Sequence, residues 1–381
     1  MKSPFYTAEH EAFREVMRRF VEKEIEPHAY EWDEAGEFPR TLYAKAAEIG
    51  LLGLGFPEEY GGVPADQFMK IVASQELARA GAGGVSASLM SHSIGSPPIA
   101  LAARPEVKAR VLPDVLSGKK ISALAITEPS GGSDVANLRT RARRDGDHYI
   151  VNGEKTFITS GVRADWLTVA VRTGGPGASG ISLIAVPGNA PGLERTPLAK
   201  MGWWCSDTAR LSFSGCRVPV DHLIGEENAG FCSIMANFNG ERLLMSGSAC
   251  AFADVCIDEA TEWARQRTTF GQRLVEHQVV RHKLVDMRMR VLAARAWLDE
   301  LVARFDAGPL DAEAVADLCL LKNHATQAMQ FCADQAVQIL GGTGYVRGTK
   351  SERIYREVKV MMIGGGAEEI MKELAARQWR L

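Results

Sequence analysis

Two switches of hydrophobic period divide this chain, and any fold it adopts has to respect them. Up to about residue 120 apolar residues recur at helical spacing, with Phe13, Val16, Phe20, Val21 and Ile25 on one stripe. Residues 41–52 and 68–80 read as further helices, separated by the turn-rich PEEYGGVP. Near Ile121 the pattern changes. Up to about residue 225, short runs such as WLTVAVR, GISLIAVP and ARLSFSGC alternate with Gly, Pro, Asn and Asp, which is the pattern of strands. Asn152-Gly153, between apolar runs in HYIVNGEKTFITS, predicts a hairpin turn. From Gly230 the helical spacing returns in long segments, 231–267 and 275–305. Asp311 is placed to N-cap a helix that ends at Leu340, where Gly341 and Gly342 stop it. A last helix spans roughly 368–379. At 381 residues the chain is longer than one core serves. The expected fold class is α+β multidomain. It comprises an N-terminal α-helical domain (1–120), a middle β-barrel-like domain (121–228) and a C-terminal antiparallel helical bundle (229–381).

Composition narrows the function. The formal net charge of −3 argues against a nucleic-acid-binding surface. No uncharged apolar run is long enough to span a bilayer, so no membrane insertion is expected. The opening MKSPFYTAEHEAFREV is a charged helical pattern rather than a signal peptide. Seven scattered cysteines, with no ligand-type pairs, suit a reducing cytoplasm. The eight histidines show no metal-binding spacing; His277 and His282 read as helix-surface residues, and no metal is expected.

Four segments carry candidate chemistry: AITEPSGGSD ending at Asp134, NGEKTFITS ending at Ser160, RTTFGQ from Arg267 to Gln272, and AVQILGGTGY from Ala336 to Tyr345. In the first, the glycine pair permits a ligand to approach the backbone closely, with Thr127 and Ser133 offering hydroxyls, or it is an ordinary Gly-Ser turn. A fifth feature is Glu241-Arg242 in FNGERLLM. Among Phe238, Leu243, Leu244 and Met245 its carboxylate is desolvated and its pKa raised, unless it simply pairs with its neighbour. A sixth is REVKVMMIGGGAEEI, in which residues 364–366 are three consecutive glycines.

Taken together, in this order and at these separations, the four motifs resemble the acyl-CoA dehydrogenase family over essentially the whole chain, closest to its long-chain and isovaleryl-type branch. The resemblance implies a C-terminal four-helix bundle, non-covalent FAD, an acyl-CoA substrate, a homotetramer, and an electron-transferring flavoprotein as acceptor. It implies an enzyme that converts an acyl-CoA thioester to the trans-2-enoyl-CoA. By the same resemblance Thr127 bonds the flavin pyrimidine edge, and Ser133 lies near FAD phosphate and bound acyl-CoA. Phe157 forms the aromatic wall where many relatives carry Trp, a change that keeps the π face. Thr159 donates toward flavin N5. Arg267, Phe270 and Gln338 match positions that reach the FAD of a neighbouring subunit, Arg267 pairing with pyrophosphate. Gly342 lets backbone approach the adenine half.

The family's base is in many relatives a Glu in a Tyr-Glu-Gly-Thr segment. This chain places Gly364, Gly365, Gly366 and Ala367 there. The long-chain and isovaleryl types carry the Glu early in the first bundle helix, just before an Arg, and Glu241 and Arg242 stand at that point. The resemblance therefore implies Glu241 as the base, with the Gly365 N–H on the thioester oxygen beside the flavin ribityl 2′-hydroxyl. Arg242 would order the corner beside the CoA arm of the substrate. Ala367, in place of Thr, withdraws one hydroxyl from FAD. The competing carboxylates Glu368 and Glu369 read as first-turn residues of the last helix. Other readings stay open at this point: an acyl-CoA oxidase or another flavin-dependent acyl-CoA reaction, a non-catalytic nucleic-acid-associated relative, and a silent acyl-CoA-binding protein. The acyl chain is also open, since residues 91–96 and Trp203-Trp204 either border its pocket or only pack.

Overall fold

The computed structural model describes residues 3–381 and follows the expected helical, β, helical order. The first part contains α1 (Ala8–Glu24), α2 (Ala29–Ala35), α3 (Thr41–Glu48), α4 (Gln67–Ala78), α5 (Gly83–Leu89), α6 (His92–Gly95), α7 (Pro97–Ala102) and α8 (Pro105–Leu116). On α1 the buried stripe centres on Met17, Phe20 and Val21, while Val16 and Phe13 are only half-buried.

The middle part is one mixed sheet built from β1 (Ser122–Ala125), β2 (Arg141–Asp145), β3 (His148–Thr159), β4 (Trp166–Arg172), β5 (Ile181–Pro187), β6 (Leu193–Pro197), β7 (Thr208–Pro219) and β8 (Leu223–Ile224). The order is β6-β7-β3-β2-β4-β5-β8, with β1 parallel to β4. The turn expected at Asn152-Gly153 is not there. Both residues lie inside β3, at a register shift against β7. Gly153, at φ 141°, supplies the irregular backbone, and the Asn152 side chain accepts from the Gly215 N–H at 2.8 Å. The hairpin closes instead at Gly146 (φ 62°), between Asp145 and Asp147. That Asp-Gly is an equally good turn signal, and the sheet register selects between the two.

The last part comprises α9 (Gly230–Gln266), a short hairpin of β9 (Thr268–Thr269) and β10 (Gln272–Arg273), α10 (Gln278–Ala307), α11 (Ala312–Leu340), α12 (Gly342–Tyr345), α13 (Lys350–Ile363) and α14 (Glu368–Gln378). Asp311 caps α11 as expected, accepting from the Ala314 N–H at 2.8 Å. α11 lies along α9, and α10, α13 and α14 close the bundle around it.

One buried polar junction ties the three parts together. Asp33 of α2 accepts from the Trp204 N–H at 3.1 Å and from Arg356 at 3.2 Å. Glu357 accepts from the Gly83 N–H at 2.9 Å. A Cβ on Gly83 would stand 2.5 Å from the Trp203 Nε1 and 2.8 Å from the Glu357 carboxylate, so this approach requires glycine. Burial, reinforced by Asp33, pushes Glu357 up to about 8. The guanidinium groups of Arg347 and Arg356 flank the Trp204 ring at 4.1 and 3.8 Å, which makes Trp204 part of this junction. Among the described residues no helix is long and apolar enough to cross a membrane. All seven cysteines are free, and only Cys232 is exposed.

Candidate active site

Residues 127–134 and the end of β3 form a shelf. Its foundation is a buried ion pair: Lys155, with none of its side chain exposed, donates to Glu128 at 2.8 Å and to the Ile126 carbonyl at 2.9 Å. Glu128 also accepts from the Arg139 and Thr140 N–H groups at 2.6 and 2.9 Å. Burial alone would raise Glu128, but Lys155 and these bonds hold it below the usual carboxylate range. The Thr156 N–H then bonds the Thr127 carbonyl at 2.8 Å, joining loop to strand. Thr127 is half-buried at this joint and Ser133 is exposed on the turn beyond it.

A second consequence is local strain. β3 changes register against β7 between Lys155 and Ile158, and within that bulge Phe157 takes φ 60°. A bulky residue there costs about 1–3 kcal/mol and persists only when its surroundings impose it. Lys155 and Ile158 are anchored inward on either side, so the Phe157 ring is driven out and is 70% exposed. An aromatic face held out of the core at this cost, beside Thr127 and the half-buried Thr159, fits a planar ring such as the flavin of FAD.

Glu241 and Arg242 sit in the fourth turn of α9. Phe238, one turn earlier, packs against the buried cluster that contains Ile126, Leu138 and Trp166 of the middle part, so this end of α9 faces the shelf. Glu241 is half-buried, and no cation among the described residues lies within ion-pair distance of it. Burial pushes its carboxyl up to about 6, opposed by the charges of Arg242 and Lys322. Arg242 is committed elsewhere: its Nε donates to the Gly365 carbonyl at 2.9 Å and its Nη1 to Asn239 at 3.0 Å. Lys322 of α11, fully buried, donates to the carbonyls of Met362 and Gly366 at 2.8 Å each. The 364–366 turn is thus held by its oxygens. Among the described residues the Gly365 N–H has no backbone partner. Gly365 adopts φ 66°, and a Cβ there would meet the Met245 sulfur at 3.0 Å. Glu368 starts α14 and accepts from Gln327 at 2.6 Å, while Glu369 is exposed beside it.

Arg267, Phe270, Gln338 and Gly342 are all exposed, the first two just beyond the C-terminal end of α9 and the last two at the end of α11 and the start of α12. About 25 residues of α9, at 1.5 Å each, separate Arg267 from Glu241 by roughly 38 Å. Within one chain they cannot share a site. Phe270 is 98% exposed at φ 50°, and Tyr345 of α12 is 89% exposed.

Three residues of the site escaped the sequence reading: Glu128, Lys155 and Lys322. Each carried a signal. Lys155 falls on the inward parity of Tyr149 and Val151, and Lys322 lies four residues after Leu318 and three before Ala325 on the apolar stripe of α11. A lysine at a core position has to find buried acceptors, and these two did.

Family models describe the whole arrangement. The acyl-CoA dehydrogenase N-terminal domain matches residues 7–119, the middle domain 123–216 and the C-terminal domain 228–379. The long-chain specific acyl-CoA dehydrogenase of Rattus norvegicus is 37% identical over 98% of this chain and 87% of its own. A solved Mycobacterium smegmatis structure assigned to the same class is 48% identical, with 99% of each chain covered and a TM-score of 0.96. Butyryl-CoA dehydrogenase of Megasphaera elsdenii is 29% identical, with both chains covered in full and a TM-score of 0.93.

Proposed function

The chain belongs to the acyl-CoA dehydrogenase family, an FAD-dependent class that dehydrogenates acyl-CoA thioesters, and on that premise we propose that Glu241 is its catalytic base. The product is the trans-2-enoyl-CoA. When bound, FAD supplies the hydride acceptor at N5. The chain's own residues do the rest. Thr127, Phe157 and Thr159 would hold the flavin, with Phe157 as its aromatic wall, and Ser133 would lie near the FAD phosphate. The Glu241 carboxylate removes the proton α to the thioester carbonyl. The Gly365 N–H donates to the thioester oxygen as enolate charge develops there, a preorganised donor of the oxyanion-hole kind. Ser133 also borders the acyl-CoA, and Arg242 acts on the substrate through the turn it braces.

One observation carries the reading: a desolvated carboxylate with no ion-pair partner stands beside a glycine turn whose carbonyls are drawn away and whose central amide is free. The base works only when ionised. With a pKa near 6, single-turnover flavin reduction should be level above about pH 7 and fall roughly tenfold per unit well below pH 6. A rate that stays level down to pH 4.5 would point to an ordinary, solvated carboxylate and reject Glu241.

We further propose that the active form is a homotetramer in which Arg267, Phe270, Gln338 and Gly342 complete the FAD site of a neighbouring chain. Their distance from Glu241 supports this, as does the exposed apolar row Val285, Met289 and Leu292 on α10, with Val279 exposed nearer the start of the same helix. A charged hydrogen bond to phosphate contributes about 1.5–3 kcal/mol, so Arg267→Ala should weaken FAD binding about 10- to 100-fold. Fluorescence titration of the apoprotein measures it, and the pH midpoint of flavin reduction should not move. Electrons would pass to an electron-transferring flavoprotein, and the free cysteines suit a reducing cytoplasm.

A further inference from the structure

A triple glycine is the least self-supporting backbone a site can have, because each residue samples both signs of φ. Here residues 364–366 have to present one amide in one direction. The restraint comes from outside the segment. Lys322 on α11 donates to the carbonyls that flank the turn, Met362 and Gly366, at 2.8 Å each. Arg242 on α9 holds the carbonyl between them at 2.9 Å. Asn323, next to Lys322, donates to the Glu368 carbonyl at 2.9 Å. Of these groups Lys322 is the most deeply placed, with no exposed surface. A neutral donor could bond two carbonyls without the desolvation cost of an ammonium group.

We propose that Lys322 is a positioning residue for the dehydrogenation: it fixes the 364–366 turn so that the Gly365 amide meets the thioester oxygen, and it supplies a positive charge from the helix opposite Glu241. The inference rests on Glu241 as base and Gly365 as donor. The charged groups around the carboxylate are Arg242 on its own helix, Lys322 on α11 and, beyond Lys322, Glu368 at the start of α14; the Cys319 thiol of α11 lies beside Arg242. Arg242 and Lys322 both favour the ionised base, which offsets part of the burial that raises it. Burial also pulls Lys322 itself to about 8, so its charge is in place at neutral pH and is lost in alkali.

Two variants separate the bracing from the charge. Lys322→Met removes both; Lys322→Gln keeps a donor and removes the charge. In substrate-free holoenzyme, amide hydrogen exchange across 363–367 should rise at least about tenfold in Lys322→Met and less in Lys322→Gln. In both, the midpoint of the pH profile for flavin reduction should move up by roughly half a unit or more. The loss should fall on kcat rather than KM, by about tenfold in Lys322→Met, because the amide is engaged most strongly in the transition state. A residue that only capped α13 would lower stability and leave the midpoint in place. Should Lys322→Met not fold, the midpoint and kcat of Lys322→Gln decide the question. A folded, FAD-loaded variant with the wild-type midpoint and kcat overturns the proposal. The exchange measurement needs no substrate and no base, so a failure of Glu241 as base, seen as wild-type flavin reduction in Glu241→Gln, remains distinguishable from a failure of the Lys322 brace.

Discussion

Glu241→Gln should fold, bind FAD, stay yellow and bind acyl-CoA, and its flavin should not be bleached when substrate is added. Stopped-flow absorbance of the holoprotein should show reduction slowed by about 10³- to 10⁴-fold, the upper range for loss of a positioned general base. The change leaves the surroundings intact. Glutamine has the same shape, Arg242 keeps its bonds to Gly365 and Asn239, and no ion pair of Glu241 is broken. Flavin reduction at the wild-type rate would rule Glu241 out. The carboxylates left nearby are poorly placed to substitute, since Glu368 is bonded to Gln327 and Glu369 is exposed. Returning a carboxylate to position 365 in that variant is not a simple rescue, because φ 66° and the Met245 sulfur oppose any side chain there.

Lys155→Met is expected to cause the largest loss of stability. It leaves the Glu128 carboxylate buried, 5% exposed, without its cation. Removing one partner of such a pair typically costs about 3–5 kcal/mol, because the remaining charge has no solvent to return to. The urea unfolding midpoint should fall accordingly. FAD affinity should fall with it, since Lys155 anchors one side of the strained turn that drives Phe157 outward. Glu128→Gln in the same background should recover part of the stability by removing the stranded charge, while its one amide oxygen keeps an acceptor for either the Arg139 or the Thr140 N–H, which now bond separate carboxylate oxygens. An unchanged midpoint in Lys155→Met would mean that the pair contributes nothing net.

Much of the architecture was legible because periodicity is local. The switch near Ile121, the cap at Asp311 and the stop after Leu340 depend on neighbours within one turn of helix. The hairpin shows where that logic ends. Asn152-Gly153 and Asp145-Gly146 carry comparable turn signals, and only pairing with β7 across more than sixty residues of chain selects the second. The site divides in the same way. The motifs around Thr127, Phe157, Arg267 and Gln338 could be found by their residues, whereas the exposure and backbone strain of Phe157 could not, because a burial contest between Lys155 and Ile158 creates them.

The glycines at 364–366 mark the boundary most clearly. By itself the sequence determined that no side chain stands there and that Glu241 is the carboxylate to consider, since both facts are matters of residue identity and order. Why the position favours glycine, which way its carbonyls point and what pKa Glu241 adopts were decided only in the tertiary structure. They depend on Met245 and Arg242 from α9 and Lys322 from α11, residues some 40 to 120 positions away in sequence that meet at the turn only when the bundle closes. Steric contact, hydrogen bonding and desolvation act through space over a few ångströms, and the order of residues along a chain does not record those distances until packing has set them.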